Sequence, residues 1–511
     1  MIREDWINVK LGDAFFTTSG GTPSRTIAKY FDGDIPWVKS GELNYNIIKD
    51  TEEHISEEAI KNSSAKVFPE ETLLIALYGA TIGKLAILGV PAATNQAICG
   101  IYKNNNFLTK FVFYFLLYKK TSLIGQGVGG AQSNISQTIL KRLLVPVVSK
   151  PEQRAIVAKI EELFSELDSG IESLKKAKEQ LEIYRQAVSK AAFEGKLTKE
   201  WRKENKNLST TDDLIKEIEK ERSDYYNNLI MKWKDDVKEW EDGKTEKKPS
   251  RPRKIKEINP IEDDKLLNVI PKSWEWTRLS NIVLDSSNDI VDGPFGSNLK
   301  STEYIDSGYP VLRIQNIKAN RFINKNFKYI SFDKYNSLSR HHFRTGDLIV
   351  TKLGNPLGLT CRVPSYMKEG VIVADLIRIS PTLKHINYNW LTYLLNSEVI
   401  QAQFRKITKG TTRPRMNLTI MRDTIIPICS IEEQTQIVAA IESRISVCEN
   451  IEANIEEALE KAEALRQSIL KKAFEGKLLS KEELEACKQE DDWEPAEKLL
   501  KRIKEVTKEA K

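Results

Sequence analysis

The chain has 511 residues, of which 40% are hydrophobic and 29% charged, and its formal net charge is +6. This length allows roughly two to four domains, and the composition is that of a folded globular protein rather than a disordered one. No run approaches the ~18 consecutive apolar residues of a membrane span, and the N-terminal stretch MIREDWINVK has no apolar signal-peptide core.

The cysteines are scattered and form no CxxC pair; they are Cys99, Cys361, Cys429, Cys448 and Cys487. This spacing argues against a zinc ribbon and a disulfide framework, and it favours the reducing cytoplasm. Histidines number only four. We therefore expect a cytoplasmic protein whose own chain holds no metal.

Positive charge is concentrated in two parts of the chain. Residues 274–430 contain 21 Lys and Arg against 12 Asp and Glu, and residues 1–150 contain 16 against 13. A basic surface attracts phosphate groups, which favours a nucleic-acid partner. An ordinary solvated surface fits the modest excess equally well.

Residues 1–150 have the pattern of a mixed, strand-rich domain. Apolar runs broken by Gly and Pro predict strands within 35–43, 72–88 and 143–148. The denser run FLTKFVFYFLLYKK at 107–120 predicts a buried helix.

From residue 152 the apolar period becomes that of a long helix. Its heptad seam is predicted to comprise Ile156, Ile160, Leu163, Leu167, Leu174, Ala177, Leu181, Tyr184 and Val188. Gly195 is a natural stop, because glycine tolerates the left-handed conformation that ends many helices. About 36 helical residues make a rod of roughly 54 Å.

Residues 199–273 form a charged linker. DLIKEIEKER at 213–222 predicts a polar helix, and EKKPSRPRKIKE at 246–257 has little to bury. The linker aromatics could stack on bases, although packing of the helix on a partner subunit or on a rod is the favoured interpretation; they are Tyr225, Tyr226, Trp233 and Trp240.

Residues 274–430 repeat the plan of the first domain at lower identity. WEWTRL at 274–279 corresponds to WINVKL at 6–11, with Trp and Leu in register. GDLIVTKLGNPLG at 346–358 corresponds to EETLLIALYGATIG at 70–83. The chain is therefore predicted to contain two diverged copies of one domain.

A second long helix follows the second domain. AFEGKL at 192–197 recurs at 473–478, an offset of 281 (473 − 192), and the same offset relates IVAKIE at 156–161 to IVAAIE at 437–442. The second seam is predicted at Ile437, Ile441, Cys448, Ile451, Ile455, Ala458, Ala462, Leu465 and Ile469. Two such helices are expected to pair, parallel or antiparallel; packing of each helix on its own domain is the alternative.

Two similar rods that carry two dissimilar domains suit the recognition of an asymmetric DNA target with two half-sites. Major-groove sites on one face of B-DNA lie about 34 Å apart or a multiple of it. A rod of roughly 54 Å can span that distance.

The order of these strings resembles the specificity subunit of type I restriction–modification systems. The resemblance rests on the two AFEGKL helix ends, the helix starts PEQRAIVAKIEELF and EEQTQIVAAIES, LTKEWRKEN at 197–205, and the W-x-x-x-x-L start of each domain. It covers nearly the whole chain.

The resemblance implies an α+β fold with two pseudo-repeated, mixed α/β-rich target recognition domains and two long helices that pair as an antiparallel coiled coil. The implied boundaries are 1–150 for the first recognition domain, 151–198 for the first spacer helix, 199–273 for the helical linker, 274–430 for the second recognition domain, 431–480 for the second spacer helix and 481–511 for a helical tail.

The resemblance also implies the partners. They are double-stranded DNA with a two-part target, two modification subunits that use S-adenosylmethionine to methylate adenine, and nuclease/translocase subunits that use ATP and Mg. The chain itself is expected to be no enzyme and to hold no cofactor. The sequence agrees, since it has no Asn-Pro-Pro or Asp-Pro-Pro methyltransferase motif, no Pro-Asp dipeptide of the common nuclease motif and no P-loop.

Loops with Arg, Lys, Gln, Asn, Ser and Thr are the candidate DNA contacts, since Arg can bind guanine, Gln and Asn can bind adenine, and hydroxyls can bind phosphate. In the first domain we predict Ser24, Arg25, Lys39, Tyr78, Thr81, Lys84, Gln132 and Ser133. In the second we predict Ser297, Asn298, Lys300, Arg313, Gln315, Asn316, Lys352, Asn355, Lys409, Thr411, Thr412, Arg413 and Arg415.

Two other functions remain open at this point. A coiled-coil scaffold whose domains bind proteins would show no salt-dependent DNA affinity. A stand-alone DNA-modifying enzyme is disfavoured by the missing motifs.

Overall fold

A computed structural model describes residues 3, 5–126, 134–205, 209–244, 246–258, 261, 269–296, 298–408 and 414–509. Its contacts divide the chain into two compact units. The first unit comprises Met1–Lys176 and Ile455–Lys511, and the second comprises Ala177–Asn454. Each unit thus contains one strand-rich domain and parts of both long helices.

The first unit is built on a five-stranded and a four-stranded sheet. Its elements, in chain order, are β1 (Ile7–Lys10), α1 (Leu11–Ala14), β2 (Thr17–Ser19), β3 (Ile35–Val38), β4 (Ile47–Ile48), β5 (His54–Ile55), α2 (Glu57–Lys61), β6 (Val67–Phe68), β7 (Leu73–Ala76), β8 (Leu85–Leu88), β9 (Ala92–Thr94), β10 (Ile98–Ile101), α3 (Thr109–Gly125), α4 (Gln137–Arg142), β11 (Leu144–Val147) and the start of α5 (Lys150–Phe193). The strand orders are β2-β10-β7-β8-β4 and β5-β3-β9-β6, and β1 pairs with β11.

The predicted helix at 107–120 is confirmed as α3. The central apolar stretch of this helix is buried: Phe111, Phe115 and Leu116 are 0–2% exposed and contribute to the main core of the first unit. The predicted strands within 35–43, 72–88 and 143–148 are confirmed as β3, the pair β7 and β8, and β11.

The second unit repeats this plan. Its elements are α6 (Lys199–Glu204), α7 (Thr211–Glu241), β12 (Glu275–Arg278), α8 (Ser286–Asp289), β13 (Ile290–Asp292), β14 (Tyr309–Leu312), β15 (Ile317–Lys318), β16 (Arg321–Phe322), β17 (Lys328–Ile330), α9 (Phe332–Ser337), β18 (His342–Arg344), β19 (Leu348–Thr351), β20 (Thr360–Arg362), β21 (Glu369–Ile372), β22 (Leu376–Ile379), α10 (Tyr388–Leu395), α11 (Glu398–Thr408), α12 (Leu418–Asp423), β23 (Ile425–Ile428) and the start of α13 (Ile431–Phe474). The sheets are β13-β22-β19-β20, β17-β14-β21-β18, β12-β23 and β15-β16. The chain then adds α14 (Lys481–Lys488) and α15 (Ala496–Glu509), which belong to the first unit.

Both long helices end in the same way, which explains the repeated AFEGKL. The amide of Gly195 donates to the Ala192 carbonyl at 3.1 Å, and the amide of Lys196 donates to the Ala191 carbonyl at 2.8 Å. Gly195 has φ +69, which only glycine adopts at low cost. Gly476, with φ +73, ends the second helix with the same pair of bonds.

Side-chain contacts between the two long helices within the second unit are those of antiparallel helices. In the second unit Arg185 of α5 pairs with Glu452 of α13 at 2.9 Å. Further along α5, Val188 shares a core cluster with Ile437 and Ile441, which precede Glu452. Rising numbers on one helix therefore meet falling numbers on the other.

The predicted seam is only partly correct. Ile156, Ile160, Ile437 and Ile441 are buried, but Tyr184, Ile451 and Leu465 are 42–50% exposed. Two paired helices bury a narrow stripe, and these three side chains lie outside it. The predicted α+β fold, with two strand-rich domains and two long helices, is confirmed.

Candidate nucleic-acid interface

In the first unit, two loops far apart in sequence meet beyond the C-terminal end of β7. The amide of Ile135 donates to the Leu77 carbonyl at 2.8 Å, and Tyr78 forms an antiparallel bridge with Asn134. The turn that follows Tyr78 contains Gly79 and Gly83, both with positive φ. Tyr78 and the candidates Thr81 and Lys84 are half-buried in this turn.

The second unit joins the corresponding loops with the same bonds. The amide of Met416 donates to the Lys352 carbonyl at 2.9 Å, and Leu353 bridges Arg415. Arg415 follows Asn134 by the helix offset of 281 (415 − 134), and Leu353 follows Tyr78 by 275 (353 − 78). The backbone of this site is thus conserved between the two domains while its side chains differ.

A third loop, which sequence reasoning missed, joins the site in the first unit. Tyr45 has φ +60, and its amide donates to the Leu85 carbonyl at 2.8 Å. The ammonium of Lys120 donates to the Tyr45 hydroxyl at 2.6 Å, and that of Lys84 to the Asn44 side-chain carbonyl at 2.9 Å. Two lysines therefore converge on one exposed tyrosine loop.

The second unit contains the same loop, since Asn320 follows Tyr45 by 275 (320 − 45). Asn320 has φ +57, and its amide donates to the Thr360 carbonyl at 2.9 Å. Its side-chain oxygen accepts from Asn396 at 2.8 Å. Asn tolerates positive φ better than most residues, and this weak preference was the only local signal for the loop.

Arg25 and Lys39, two first-domain candidates, share the carboxylate of Glu53. Arg25 pairs with Glu53 at 2.8 Å and stacks over the Phe31 ring at 4.5 Å. Lys39 pairs with Glu53 at 3.1 Å and with Glu52 at 2.8 Å. Partial burial would raise the pKa of Glu53, but the bonds from Arg25 and Lys39 hold it below its usual range.

The candidate Ser24 lies beside this ionic cluster. It is exposed, and its hydroxyl lies 2.8 Å from that of Thr26.

Three candidates in the second domain serve mainly to hold a loop. Asn316 is fully buried, and its amide nitrogen donates to the carbonyls of Ile323 and Lys325 at 3.1 and 2.9 Å. Arg313 and Gln315 both donate to the Asn326 carbonyl. The structure thus engages each of these three side chains within the protein.

Lys352 is 6% exposed and pairs with Asp292. Beside it lies Phe295, which sequence reasoning missed: the ring is 70% exposed, and the Lys352 ammonium lies 5.9 Å from its centroid. The nearby candidates are exposed; they are Asn298, Lys300 and Asn355.

Arg415 is exposed and pairs with Asp375 at 3.1 Å. The structure therefore brings Arg415 to the loop that contains Lys352 and Asn355. The remaining candidates, Gln132, Ser133, Ser297, Lys409, Thr411, Thr412 and Arg413, lie outside the described residues.

Three arginines surround the start of β13, immediately before the loop of Phe295. Arg340 donates to the Ser287 carbonyl, Arg378 to those of Asn288 and His342, and Arg422 to that of Ile290. Burial lowers the pKa of Arg378 and of Arg422, and the charge of Arg340 lowers both further. Nearby carboxylates oppose this lowering, namely Asp347 and Asp289 beside Arg378 and Asp292 beside Arg422, so the positive charge of the three arginines is partly neutralised within the protein.

The described residues offer little for covalent or metal chemistry. Over that part of the chain no group of His, Cys, Asp and Glu has the arrangement of a metal site. All five cysteines are free and buried, and burial raises the pKa of Cys99 and of Cys361 to about 12. A thiol with so high a pKa is a poor nucleophile at neutral pH. No helix among the described residues is long and apolar enough to cross a membrane.

The sequence is similar to proteins of one family. The model of the type I restriction modification DNA specificity domain matches residues 3–182 and 295–461. The EcoBI specificity subunit of Escherichia coli is 26% identical over 389 residues, which span 76% of this chain and 70% of that protein. The MjaIX specificity subunit of Methanocaldococcus jannaschii is 32% identical over 229 residues, or 43% and 50% of the two chains.

Solved structures share the fold. One is a chain from a structure on complex assembly and conformational transition of the type I R-M system. It has a TM-score of 0.63 at 16% sequence identity, and the match covers 94% of this chain and 100% of that chain. The HsdS subunit from Thermoanaerobacter tengcongensis has a TM-score of 0.51 at 16% identity, with coverage of 93% and 98%. Because the family model matches more than half of the sequence, this chain belongs to the specificity-subunit family of type I restriction–modification systems.

Proposed function

We propose that this chain is the non-catalytic subunit that recognises a bipartite, asymmetric DNA target and directs adenine methylation and restriction by partner subunits. One domain (1–150) would recognise one half-site and the other (274–430) the second. The partners would be two modification subunits and the nuclease/translocase subunits. S-adenosylmethionine, ATP and Mg would be bound by those partners.

The observation that carries this proposal is the repeated joint between two loops. The same backbone bonds present Tyr78 and Asn134 in one domain and Leu353 and Arg415 in the other. Bases are distinguished by side-chain hydrogen bonds and apolar contacts in the grooves. Two domains with one backbone and different side chains would therefore recognise two different half-sites.

The length of the helices supports a fixed gap between the half-sites. Lys150–Phe193 and Ile431–Phe474 contain 44 residues each, which is about 66 Å of helix. Successive turns of a major groove lie about 34 Å apart. Paired helices of this length would hold two recognition domains at a constant separation.

The side chains that we propose to contact DNA are those available at the loops. Tyr78, Thr81, Lys84, Asn355 and Arg415 would reach bases, and the exposed groups of the early loops, Ser24, Arg25, Asn298 and Lys300, would reach phosphates. Asn316 and Lys352 would instead position these loops, because both are buried and engaged within the protein.

The test is modified-base sequencing of DNA from cells that contain this chain with its modification subunit. Cells with the modification subunit alone are the control. The proposal predicts methyladenine in a two-part motif with a constant gap, present only with this chain. Identical methylation in both cultures would favour the alternative of a coiled-coil scaffold for protein partners.

A further inference from the structure

Helix α7 is anchored at one end and continues well beyond the anchor. Its first half packs into the core of the second unit through Leu214 and Ile218, which are 3% and 1% exposed. Arg222 is also buried; it donates to the Asn281 carbonyl at 3.2 Å and to the Lys256 carbonyl at 2.9 Å. The rest of the helix, up to Glu241, is half-buried or exposed.

A segment at 246–258, here called the basic segment, runs back along this helix. The indole nitrogen of Trp233 donates to the Pro249 carbonyl at 3.1 Å. The Arg251 guanidinium lies over the Trp233 ring at 5.8 Å, and the Lys248 ammonium over the Trp240 ring at 4.9 Å. The linker tryptophans thus hold the basic segment against α7 within the second unit.

The basic segment carries six Lys and Arg residues against two carboxylates, Glu246 and Glu257, which lie at its two ends. Between 247 and 256 it contains only basic charges, namely Lys247, Lys248, Arg251, Arg253, Lys254 and Lys256, all exposed. Lys254 pairs with Glu257 at 3.2 Å. Among the described residues, no carboxylate forms an ion pair with Lys247, Lys248, Arg251 or Arg253.

We propose that the basic segment binds the phosphate backbone of double-stranded DNA, independently of sequence, outside the bases that the two domains recognise. This inference rests on the proposed function. Phosphate binding by Lys and Arg releases condensed counterions, and this release supplies most of non-specific affinity. A segment already held on a helix loses little conformational freedom when it binds.

The charge pattern favours DNA over a protein partner. Protein interfaces are depleted in Lys and centred on buried aromatic anchors, whereas the tryptophans here already contact the segment itself. The family model matches residues 3–182 and 295–461, so the segment lies outside the matched parts. The segment would add affinity without changing the motif.

The experiment measures the salt dependence of affinity of the full chain for a random-sequence duplex. The variant is Lys247→Gln/Lys248→Gln/Arg251→Gln/Arg253→Gln. The matched control, Lys481→Gln/Lys498→Gln/Lys501→Gln/Lys504→Gln, removes the same charge from exposed positions of the C-terminal helices. Affinity decreases with salt, and each phosphate contact contributes about 0.9 to the steepness of log affinity against log salt. The slope should therefore become shallower by about 3–4 in the variant and remain unchanged in the control.

A second variant, Lys247→Gln/Arg253→Gln, keeps the two cations that stack on tryptophan and replaces the fourfold variant if that variant does not fold. Its slope should be shallower than that of the wild type by about 2. An unchanged slope in these variants, or loss of modification-subunit binding with normal DNA affinity, would overturn the inference. The proposed function is tested separately. If the variants confer the wild-type methylated motif and also show the wild-type salt slope, only the inference about the basic segment is refuted. If the variants show the shallower slope but the wild-type chain confers no methylated motif, only the proposed function is refuted.

Discussion

The amide of Met416 donates to the carbonyl oxygen of Lys352 at 2.9 Å, and the amide of Ile135 makes the same bond to Leu77 at 2.8 Å. These bonds join the loop after the third strand of each main sheet to the loop that precedes the last short helix of the domain. A side chain at either loop therefore has a defined position relative to the other loop. Base recognition requires such positioning.

Arg415→Ala should weaken recognition at one base pair of the half-site bound by the second domain. Arg415 is exposed, held by Asp375, and placed beside the loop of Asn355. Loss of one bidentate Arg–guanine contact costs about 1–3 kcal/mol of discrimination. Binding to target duplexes with single base changes measures the effect, and Lys368→Ala, which removes an exposed charge before β21, is the control. Wild-type discrimination in Arg415→Ala would exclude a base contact.

Gly293→Ala should displace the loop that contains Phe295. A methyl group on Gly293 would lie only 2.1 Å from the backbone carbonyl oxygen of Val373, which accepts a hydrogen bond from the Leu376 amide at 2.9 Å. The expected loss is about 1–3 kcal/mol of stability, with weaker binding of one half-site. Gly296→Ala, three residues later, meets nothing within 4 Å among the described residues and should behave as wild type. Equal effects of the two substitutions would contradict this steric argument.

The pair Arg185–Glu452 should couple the two long helices. Both side chains are about a quarter exposed and lie 2.9 Å apart, so the coupling energy should be about 0.2–1 kcal/mol. A double-mutant cycle with Arg185→Ala and Glu452→Ala, followed by denaturant unfolding, measures this energy. Strict additivity would show that the two side chains do not interact in solution.

Arg202→Ala should lower the free energy of unfolding of the second unit far more than Arg154→Ala, at an exposed position, lowers that of the first unit. Arg202 pairs with Glu433, which is 3% exposed and also accepts from Thr198 at 2.7 Å. An unpaired buried carboxylate costs about 3–5 kcal/mol. Arg154→Ala breaks only the exposed contacts with Glu490 and Asp492, which should cost about 1 kcal/mol or less. Similar losses of unfolding free energy in the two variants would refute this ranking.

Asp347→Asn should change stability in a pH-dependent manner. Burial raises the pKa of Asp347 above its ordinary value, although the Arg344 amide donates to its carboxylate at 2.7 Å. Because the pKa of Asp347 is higher in the folded than in the unfolded chain, the folded chain favours the protonated carboxyl group. The resulting stabilisation is complete below the unfolded pKa and is lost as pH rises through the folded pKa. The stability of Asp347→Asn relative to wild type should therefore increase as pH rises from about 4. Asp333→Asn, at an exposed position, is the control, and a difference that does not vary with pH would contradict the raised pKa.

The long helices and the domain repeat could be predicted because their signals are local. Heptad spacing and a glycine stop specify a helix and its end without knowledge of the rest of the chain. The exposure of Tyr184, Ile451 and Leu465 could not be predicted in this way, because burial depends on the partner surface. The heptad pattern alone does not describe that surface.

The candidate site was predicted more coarsely than the fold. Comparison of the two domains identified the loops of Tyr78 and Arg415 as candidates. In the structure Tyr78 bridges Asn134, and Arg415 bridges Leu353. It did not distinguish Asn316, which is buried and holds a turn, from exposed side chains nearby. It also missed Tyr45, which the bonds to Leu85 and Lys120 place at the site and whose φ of +60 is not marked by a glycine. Hydrogen-bond partners across the chain decide these cases.

The most direct test of two-domain recognition is an exchange of residues 1–150 for the corresponding domain of another specificity subunit. The methylated motif is then determined by modified-base sequencing in cells that also contain the modification subunit. Two-domain recognition predicts that one half of the motif changes, while the other half and the gap between the halves remain. A motif that is unchanged, or altered in both halves, would contradict the assignment of one half-site to each domain.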